Sequence, residues 1–172
     1  MPIRELWLLR HAKSAWDTDA PGDFERPLNR RGERDAPRMG RWMRRQGWIP
    51  DRILASPARR ARQTAEAVCW ELGIDPGVIR WEPRLYEASV SDLLAVLRSC
   101  LETARRVLVV GHNPGLEELA LALCGPLALP GKKLLPTAAL LRLAVSGGWA
   151  DLGPGKGRFL ERVRPRDLPE DL

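Results

Sequence analysis

The sequence predicts a single three-layer α/β/α domain, with a mainly parallel central sheet between two layers of helices. Three observations predict this class. Short apolar runs alternate along the chain with segments of helical period. The 172 residues are enough for one domain with its own core. The last two apolar runs, 138–145 and 158–164, flank a glycine-rich loop and therefore predict an antiparallel strand pair at the C-terminus.

The first strand and the first helix are separated by a long polar stretch. The strand is predicted over 3–9, and the helix is predicted to end at Gln46 because Gly47 favours a helix C-terminus. Pro37 falls inside this helix if the helix starts directly after the polar stretch. An interior proline costs about 3 kcal/mol, so the helix either kinks there or begins near Asp35.

The second strand and helix are predicted from a run over 52–55 followed by Ser56 and Pro57. A serine cap with proline at the first helical position is a typical helix start. One face of this helix is apolar, and the helix ends at Gly73. The residues on that face are Ala61, Ala65, Val68 and Leu72.

The second half of the chain repeats the alternation of strand and helix. A short strand is predicted over 78–82, and Ser89 or Ser91 is predicted to cap the next helix. A strand over 107–111 follows. The last helix begins after it, with Asn113 as its N-cap and a proline in its first turn. We assign residues 1–164 to the domain and 165–172 to a short, loosely held tail.

Composition excludes several classes of protein. No apolar run approaches the roughly 18 residues that span a membrane, and the start lacks the apolar segment of a signal peptide. We therefore expect a cytoplasmic protein. Three dispersed cysteines without a CxxC pair argue against a disulfide framework or a zinc site, and we expect no metal or other cofactor. The net charge is +6, and arginine supplies most of the positive side chains. Because the sequence has no nucleic-acid-binding motif, this charge favours anionic substrates.

The chain contains two histidines, and each follows a predicted strand directly. His11 follows the first strand with Arg10 beside it, and His112 follows the strand over 107–111. Because parallel strands end at the same rim of a sheet, where α/β proteins bind ligands, we expect both imidazoles at one site. A guanidinium next to an imidazole suits phosphate, which predicts an anion site with a nucleophilic histidine.

Arginines also cluster at the start of the second helix. Arg59 points away from the apolar face, whereas Arg60 and Arg62 flank that face on opposite sides. Either flanking arginine can reach the rim of the sheet, and helical spacing alone does not choose between them.

Taken together, four motifs resemble the histidine phosphatase superfamily, in the branch of the small SixA-like phosphohistidine phosphatases. They are Leu9-Arg10-His11-Ala12-Lys13-Ser14, Asp23 to Asn29 with Arg31-Gly32, Ser56-Pro57 to Thr64, and Gly111-His112-Asn113-Pro114-Gly115. The resemblance implies a phosphoglycerate mutase-like fold and a phosphohistidine intermediate on His11. It places Arg10, Arg60 and His112 in the phosphate pocket and thereby selects Arg60 over Arg62. Ala12 stands where the wider superfamily has glycine.

The resemblance also suggests Glu87 as the proton donor, although an ordinary surface glutamate is the alternative interpretation. An alkoxide leaving group needs a general acid, whereas a phosphorylated imidazole can carry its own proton. Dependence on Glu87 would therefore indicate the substrate. For substrate binding we add Asn113, Lys13 and Trp16, although Trp16 can equally be a packing residue.

The first helix has a basic side, which is either solvated or a docking surface for an acidic partner. This side consists of Arg34, Arg38, Arg41 and Arg45.

We expect a metal-independent phosphatase that hydrolyses phosphohistidine on a protein, with His112 protonated. The protein is expected to be a monomer or a weak homodimer that binds neither nucleic acid nor membrane. A small-molecule phosphomonoesterase or mutase of the same superfamily is the alternative. A non-enzymatic phosphate- or nucleic-acid-binding module is a more remote one, because it leaves the paired histidines unexplained.

Overall fold

A six-stranded mixed sheet forms the centre of the structure, a computed structural model that describes residues 3–172. The strands are β1 (Arg4–Arg10), β2 (Arg52–Ala55), β3 (Arg80–Trp81), β4 (Arg106–Gly111), β5 (Leu140–Val145) and β6 (Gly157–Val163). Their order is β3-β2-β4-β1-β5-β6. β1 to β4 are parallel, and β5 is antiparallel to both of its neighbours. The predicted fold class, with its antiparallel C-terminal pair, is confirmed.

Two pairs of helices cover the two faces of the sheet. They are α1 (Arg30–Gln46) and α2 (Arg59–Leu72) on one face, and α3 (Val90–Arg98) and α4 (Gly115–Cys124) on the other. Successive side chains of a strand point to opposite faces, so β1 contributes to both cores. Leu6 and Leu8 pack on the side of α3 and α4, and Trp7 and Leu9 pack on the side of α1 and α2. Within the described chain, no helix combines the length and hydropathy needed to cross a membrane.

The structure decides between the two predicted starts of the first helix. α1 begins at Arg30 because the side chain of Asn29 accepts a hydrogen bond from the Gly32 amide at 2.9 Å, so a start near Asp35 is wrong. Pro37 lies inside the helix. The fully buried side chains of Met39 and Met43 each contribute about 1.5–3 kcal/mol, which together is enough to offset a proline cost of about 3 kcal/mol.

The starts of α2 and α4 correct two other predictions. α2 begins at Arg59 and not at Pro57, because the Ser56 hydroxyl accepts from the Ala58 amide and forms a local turn before the helix. Asn113 does not cap α4, since its side-chain amide donates instead to the Leu135 carbonyl at 2.9 Å.

The other predicted element boundaries differ from the observed ones by only a few residues. Ser89, not Ser91, caps α3, in a reciprocal capping box with Asp92. β3 has two residues where a strand over 78–82 was predicted, because a 3-10 turn occupies Pro76–Val78.

The C-terminal segment is packed, so the expectation of a loosely held tail is wrong. Leu168 is buried, and Leu172 packs against the core under α1 and α2. Arg38 donates to the carbonyl of Pro169 at 3.2 Å and to that of Pro165 at 3.5 Å.

The basic side of α1 is therefore neither simply solvated nor free for docking. Besides the contacts of Arg38, Arg41 pairs with Glu71 at 2.9 Å, and Arg45 lies 3.5 Å from Asp171. Arg38, Arg41 and Arg45 bind the chain's own α2 and C-terminal segment, whereas Arg34 is exposed and pairs with Asp35 of α1 at 3.2 Å.

Candidate active site

The two histidines emerge side by side from adjacent strands. β1 and β4 are parallel neighbours, and Arg10 is paired in register with Gly111. The residues that follow, His11 and His112, therefore leave the sheet at the same rim, and their ring centroids are 5.2 Å apart. The convergence that the strand-end positions predict is present in the structure.

The histidines line a cavity of about 560 Å³, a volume typical of small-ligand sites. Every residue that the sequence analysis selected for the site lines this cavity: His11, Arg10, Arg60, His112, Glu87, Asn113, Lys13 and Trp16. Its ionic side chains are four cationic and two acidic ones, namely Arg10, Lys13, Arg26 and Arg60 with Asp23 and Glu87. The excess of positive charge suits an anionic ligand.

The imidazole of His11 is held as a neutral ring with a defined tautomer. Its Nδ1 lies 2.7 Å from the carbonyl oxygen of Ala12, which can only accept, so Nδ1 has the proton and Nε2 has the lone pair. Burial is the main cause that lowers the pKa of His11 to about 3, and nearby cationic groups lower it further. At neutral pH the ring is therefore an unprotonated nucleophile.

His112 is also a neutral ring at neutral pH, whereas the predicted protonated form concerns the site with a phosphoryl group bound. Burial is the largest cause and Arg60 the next in lowering its pKa to about 4. Nε2 lies 2.8 Å from the Ser56 hydroxyl, which accepts from the Ala58 amide and can donate its own proton to Nε2. The same hydroxyl can instead accept from Nε2–H, so this contact allows either neutral tautomer, and Nδ1 is buried without a hydrogen-bond partner among residues 3–172.

Arg10, which is half-buried, and Arg60, which is buried, bring their guanidinium groups into the cavity. Arg10 donates to the carbonyl of Leu135 at 3.3 Å. Arg60 uses both terminal nitrogens on Asp23, at 2.7 Å to the backbone carbonyl and 3.0 Å to the carboxylate. The Nε atoms of both arginines have no hydrogen-bond partner within the described part of the chain. Both guanidinium groups line the cavity, so their charge favours a bound oxyanion there.

Asp23 is a site residue that sequence reasoning did not select, although it lies inside one of the family-like motifs. Its carboxylate accepts from the Tyr86 hydroxyl at 2.6 Å, as well as from Arg26 and Arg60 at 3.0 Å each. The bond from Tyr86 is the largest cause that holds the pKa of Asp23 below its usual range. The ring of Tyr86 in turn packs edge-on against His112, at 5.5 Å between centroids.

Thr64 and Ser56 also act at the site without having been selected. The Thr64 hydroxyl accepts from the Ala12 amide at 3.0 Å and donates to the Arg60 carbonyl at 2.7 Å, so it ties the chain after His11 to α2. The methyl of Ala12 packs against Leu28, Ala36 and Ala138. Ser56 and Thr64 are the two ends of the motif Ser56-Pro57 to Thr64, which carries the family resemblance, but the motif by itself does not show which contacts they make.

Comparison with known proteins decides the family. Residues 6–95 match the profile of the histidine phosphatase superfamily, branch 1. The chain belongs to this family. It is 37% identical over 153 residues to an uncharacterized protein of Mycobacterium tuberculosis (strain H37Rv). The matched region covers 86% of this chain and 93% of the relative.

Two further comparisons relate this histidine phosphatase to SixA. It is 32% identical over 170 residues to the phosphohistidine phosphatase SixA of Escherichia coli (strain K12), with coverage of 95% and 96%. A structure of the protein histidine phosphatase SixA complexed with tungstate superimposes with a TM-score of 0.80 at 27% identity, covering 95% of this chain and 98% of that one. The phosphoglycerate mutase-like architecture that the resemblance implies is thereby confirmed.

Glu87 and Trp16 line the cavity and are exposed, which places them at its mouth. Glu87 is exposed, and its backbone has a φ of 53°, a conformation that non-glycine residues rarely adopt outside functional or tightly constrained sites. Trp16 is 74% exposed, and the Arg26 guanidinium lies 3.6 Å from its ring centroid. Both side chains can therefore contact a ligand that reaches the phosphate site from outside. Across the described residues, no group of three or more His, Cys, Asp or Glu is placed to hold a metal ion.

The low pKa values of the two imidazoles predict that the protein loses stability in mild acid. The folded state resists protonation until about pH 3 for His11 and about pH 4 for His112, whereas the unfolded chain binds these protons near pH 6.5. The stabilisation is therefore complete above pH 6.5 and is lost as the pH falls below it. Each imidazole should contribute a slope of about 1.4 kcal/mol per pH unit.

Urea unfolding between pH 5 and 7.5 measures this slope. The variant with His11→Asn and His112→Asn should have a flatter dependence than the unmodified protein, because its carboxylates are unchanged and only the imidazoles are lost. Parallel curves for the two proteins would show that burial does not suppress protonation of these rings.

Proposed function

We propose that this chain hydrolyses phosphohistidine on a protein through a covalent intermediate on His11. One observation carries the proposal: a neutral, oriented imidazole lies 5.2 Å from a second imidazole inside a predominantly cationic cavity. The likeness to SixA supports it, since the E. coli relative has the name of a phosphohistidine phosphatase. The related structure with tungstate supports an oxyanion site, because tungstate is a tetrahedral oxyanion like phosphate.

In the first step, the Nε2 lone pair of His11 attacks phosphorus. An N–P bond forms to His11 while the bond from phosphorus to the substrate imidazole breaks, and its electron pair goes to the leaving nitrogen. The guanidinium groups of Arg10 and Arg60 offset the charge on the phosphoryl oxygens, and the imidazole of His112, 5.2 Å from that of His11, stabilises them further when it is protonated. A bound phosphoryl dianion also favours protonation of His112, so its pKa rises on binding.

In the second step, water attacks the phosphorus of the intermediate. The N–P bond to His11 breaks, its electron pair returns to Nε2, and inorganic phosphate leaves. The Ala12 carbonyl keeps the Nδ1 proton in place throughout, so the ring returns to the tautomer that starts the next cycle.

The position of Glu87 suits a proton donor to the leaving group, which a phosphate ester needs and phosphohistidine does not. As an exposed carboxyl at the mouth of the cavity, it can meet the leaving group of the substrate. An imidazole leaving group can bring its own proton, whereas an alkoxide must receive one. The exposed side chains of Glu87 and Trp16 at the mouth are also compatible with the approach of a protein surface.

Replacement of Glu87 with glutamine tests the substrate class. We expect Glu87→Gln to change kcat/KM on a phosphohistidine protein by less than about fivefold, and to lower any activity on glycerate or sugar phosphates by about 10²-fold or more. Unmodified protein should prefer the phosphohistidine protein. Measurement of phosphate release from both substrate classes, by both proteins, gives the comparison.

Glu33→Gln is the matched control, because Glu33 is an exposed glutamate that does not line the cavity. It should behave as the unmodified protein on every substrate. Faster turnover of a phosphate monoester than of the phosphohistidine protein, with strong dependence on Glu87, would instead support the small-molecule phosphomonoesterase.

A further inference from the structure

A second cavity lies beside the candidate active site and is strongly basic. It has a volume of about 320 Å³, and Thr137 lines both this cavity and that of the two histidines. Five cationic side chains line it, and no aspartate or glutamate does: Arg31, Lys132, Lys133, Arg164 and Arg166. We call this set of five the basic groove.

Most of the charge in the basic groove is not neutralised by the protein itself. Lys132, Lys133 and Arg166 are exposed and form no ion pair or side-chain hydrogen bond with any residue that the structure describes. The other two are paired: Arg164 with Asp167 at 2.9 Å, and Arg31 with Asp35 at 3.5 Å. The groove thus differs from the basic side of α1, whose arginines bind acidic and carbonyl groups of this chain.

The lysines of the groove belong to a segment that is fixed to the active site. Leu135, two residues after Lys133, is buried, and its amide donates to the Glu117 carboxylate at 2.8 Å. Its carbonyl accepts from Arg10 at 3.3 Å and from Asn113 at 2.9 Å. One backbone group therefore connects the lysine-bearing segment to two residues of the phosphate cavity, and the groove has a defined position relative to His11.

We propose that the basic groove binds an acidic segment of the phosphorylated protein next to its phosphohistidine. This inference rests on the proposed function and specifies its substrate class. Cations that lack internal partners attract carboxylates, and like-charged partners are rejected. A nucleic-acid base would stack on an aromatic side chain, and none lines the basic groove. An acidic polypeptide therefore fits the groove better than a single-stranded nucleic acid.

Binding of an unphosphorylated probe tests the groove independently of catalysis. The probe is a fluorescent peptide with one histidine flanked by glutamates, and its counterpart has glutamines in their place. We expect the glutamate peptide to bind in a salt-dependent manner, and its Kd to rise about tenfold or more in the Lys132→Glu/Lys133→Glu variant. The glutamine peptide should bind weakly to both proteins.

The matched control is Lys156→Glu/Arg158→Glu, which makes the same change of charge. Lys156 and Arg158 are exposed and lie at the end of the sheet opposite His11, since Arg158 pairs with Ala144 and Ala144 with Glu5 near the start of β1. This variant should bind the glutamate peptide as the unmodified protein does.

Turnover gives a second measurement. With both peptides phosphorylated on histidine, the unmodified protein should have a lower KM for the glutamate peptide, and the Lys132→Glu/Lys133→Glu variant should lose this preference with little change in kcat. Equal affinity of all three proteins for the glutamate peptide, or tighter groove-dependent binding of a single-stranded oligonucleotide, would overturn the groove proposal. If the peptide binds as expected but neither phosphopeptide is hydrolysed, the proposed function fails and the acidic binding site remains.

Discussion

Replacement of His11 with asparagine is expected to reduce turnover by at least about 10³-fold and to abolish the covalent phosphoenzyme. Asparagine can still donate to the Ala12 carbonyl, but it has no ring nitrogen with a lone pair to attack phosphorus. Because the imidazole is buried and neutral, the substitution removes no ion pair, so the fold should persist. The measurement is phosphate release together with an acid-labile, base-stable label after incubation with a phosphohistidine protein.

His112→Asn provides the comparison within the same cavity. It should slow both steps and still allow the label to form, since the nucleophile is intact and only a group that stabilises the phosphoryl oxygens is lost. Full activity of His11→Asn, or a label that persists in that variant, would rule out the proposed mechanism.

Replacement of Gly32 with alanine is expected to lower the free energy of unfolding by about 1–3 kcal/mol. Alanine is the better helix former by about 1 kcal/mol, which taken alone would stabilise α1. A Cβ at this position, however, would overlap the carbonyl oxygen of Lys13. The atom it meets is backbone, so either α1 or the segment after His11 must move.

The displacement should also reduce catalysis, because Lys13 is two residues from the nucleophile. A shift of about 1 Å near reacting groups can cost about 10²-fold in rate. Urea unfolding and kcat on a phosphohistidine protein measure the two effects. The control is Gly131→Ala, where an added Cβ meets nothing within 4 Å and stability should change by less than about 0.5 kcal/mol. Equal stability of the two variants would show that the Lys13 contact relaxes without cost.

The sequence was sufficient to predict the class of fold and the meeting of the two histidines. Both predictions depend on periodicity and on the rule that parallel strands end at one rim, and β1 and β4 follow that rule as direct neighbours. The choice between Arg60 and Arg62 required the family resemblance. In the structure Arg60 is 6% exposed and lines the cavity, whereas Arg62 is exposed.

Other features of the site depend on tertiary structure that leaves no pattern in the sequence. Asp23 lies in a stretch without helical or strand period, and its contacts to Arg60 and Tyr86 join residues 37 and 63 positions away. The low pKa of His112 results mainly from burial, which neighbours along the chain do not reveal.

The central location of β1 in the sheet determines how local opening of the structure affects the candidate nucleophile. Strands at the edges of a sheet open first, at a small cost in free energy, and central strands open only when the whole domain does. β3 and β6 are the edge strands here, and β1 is paired on both sides. Transient fraying of either edge should leave the candidate nucleophile anchored, so its geometry should endure for as long as the domain itself does.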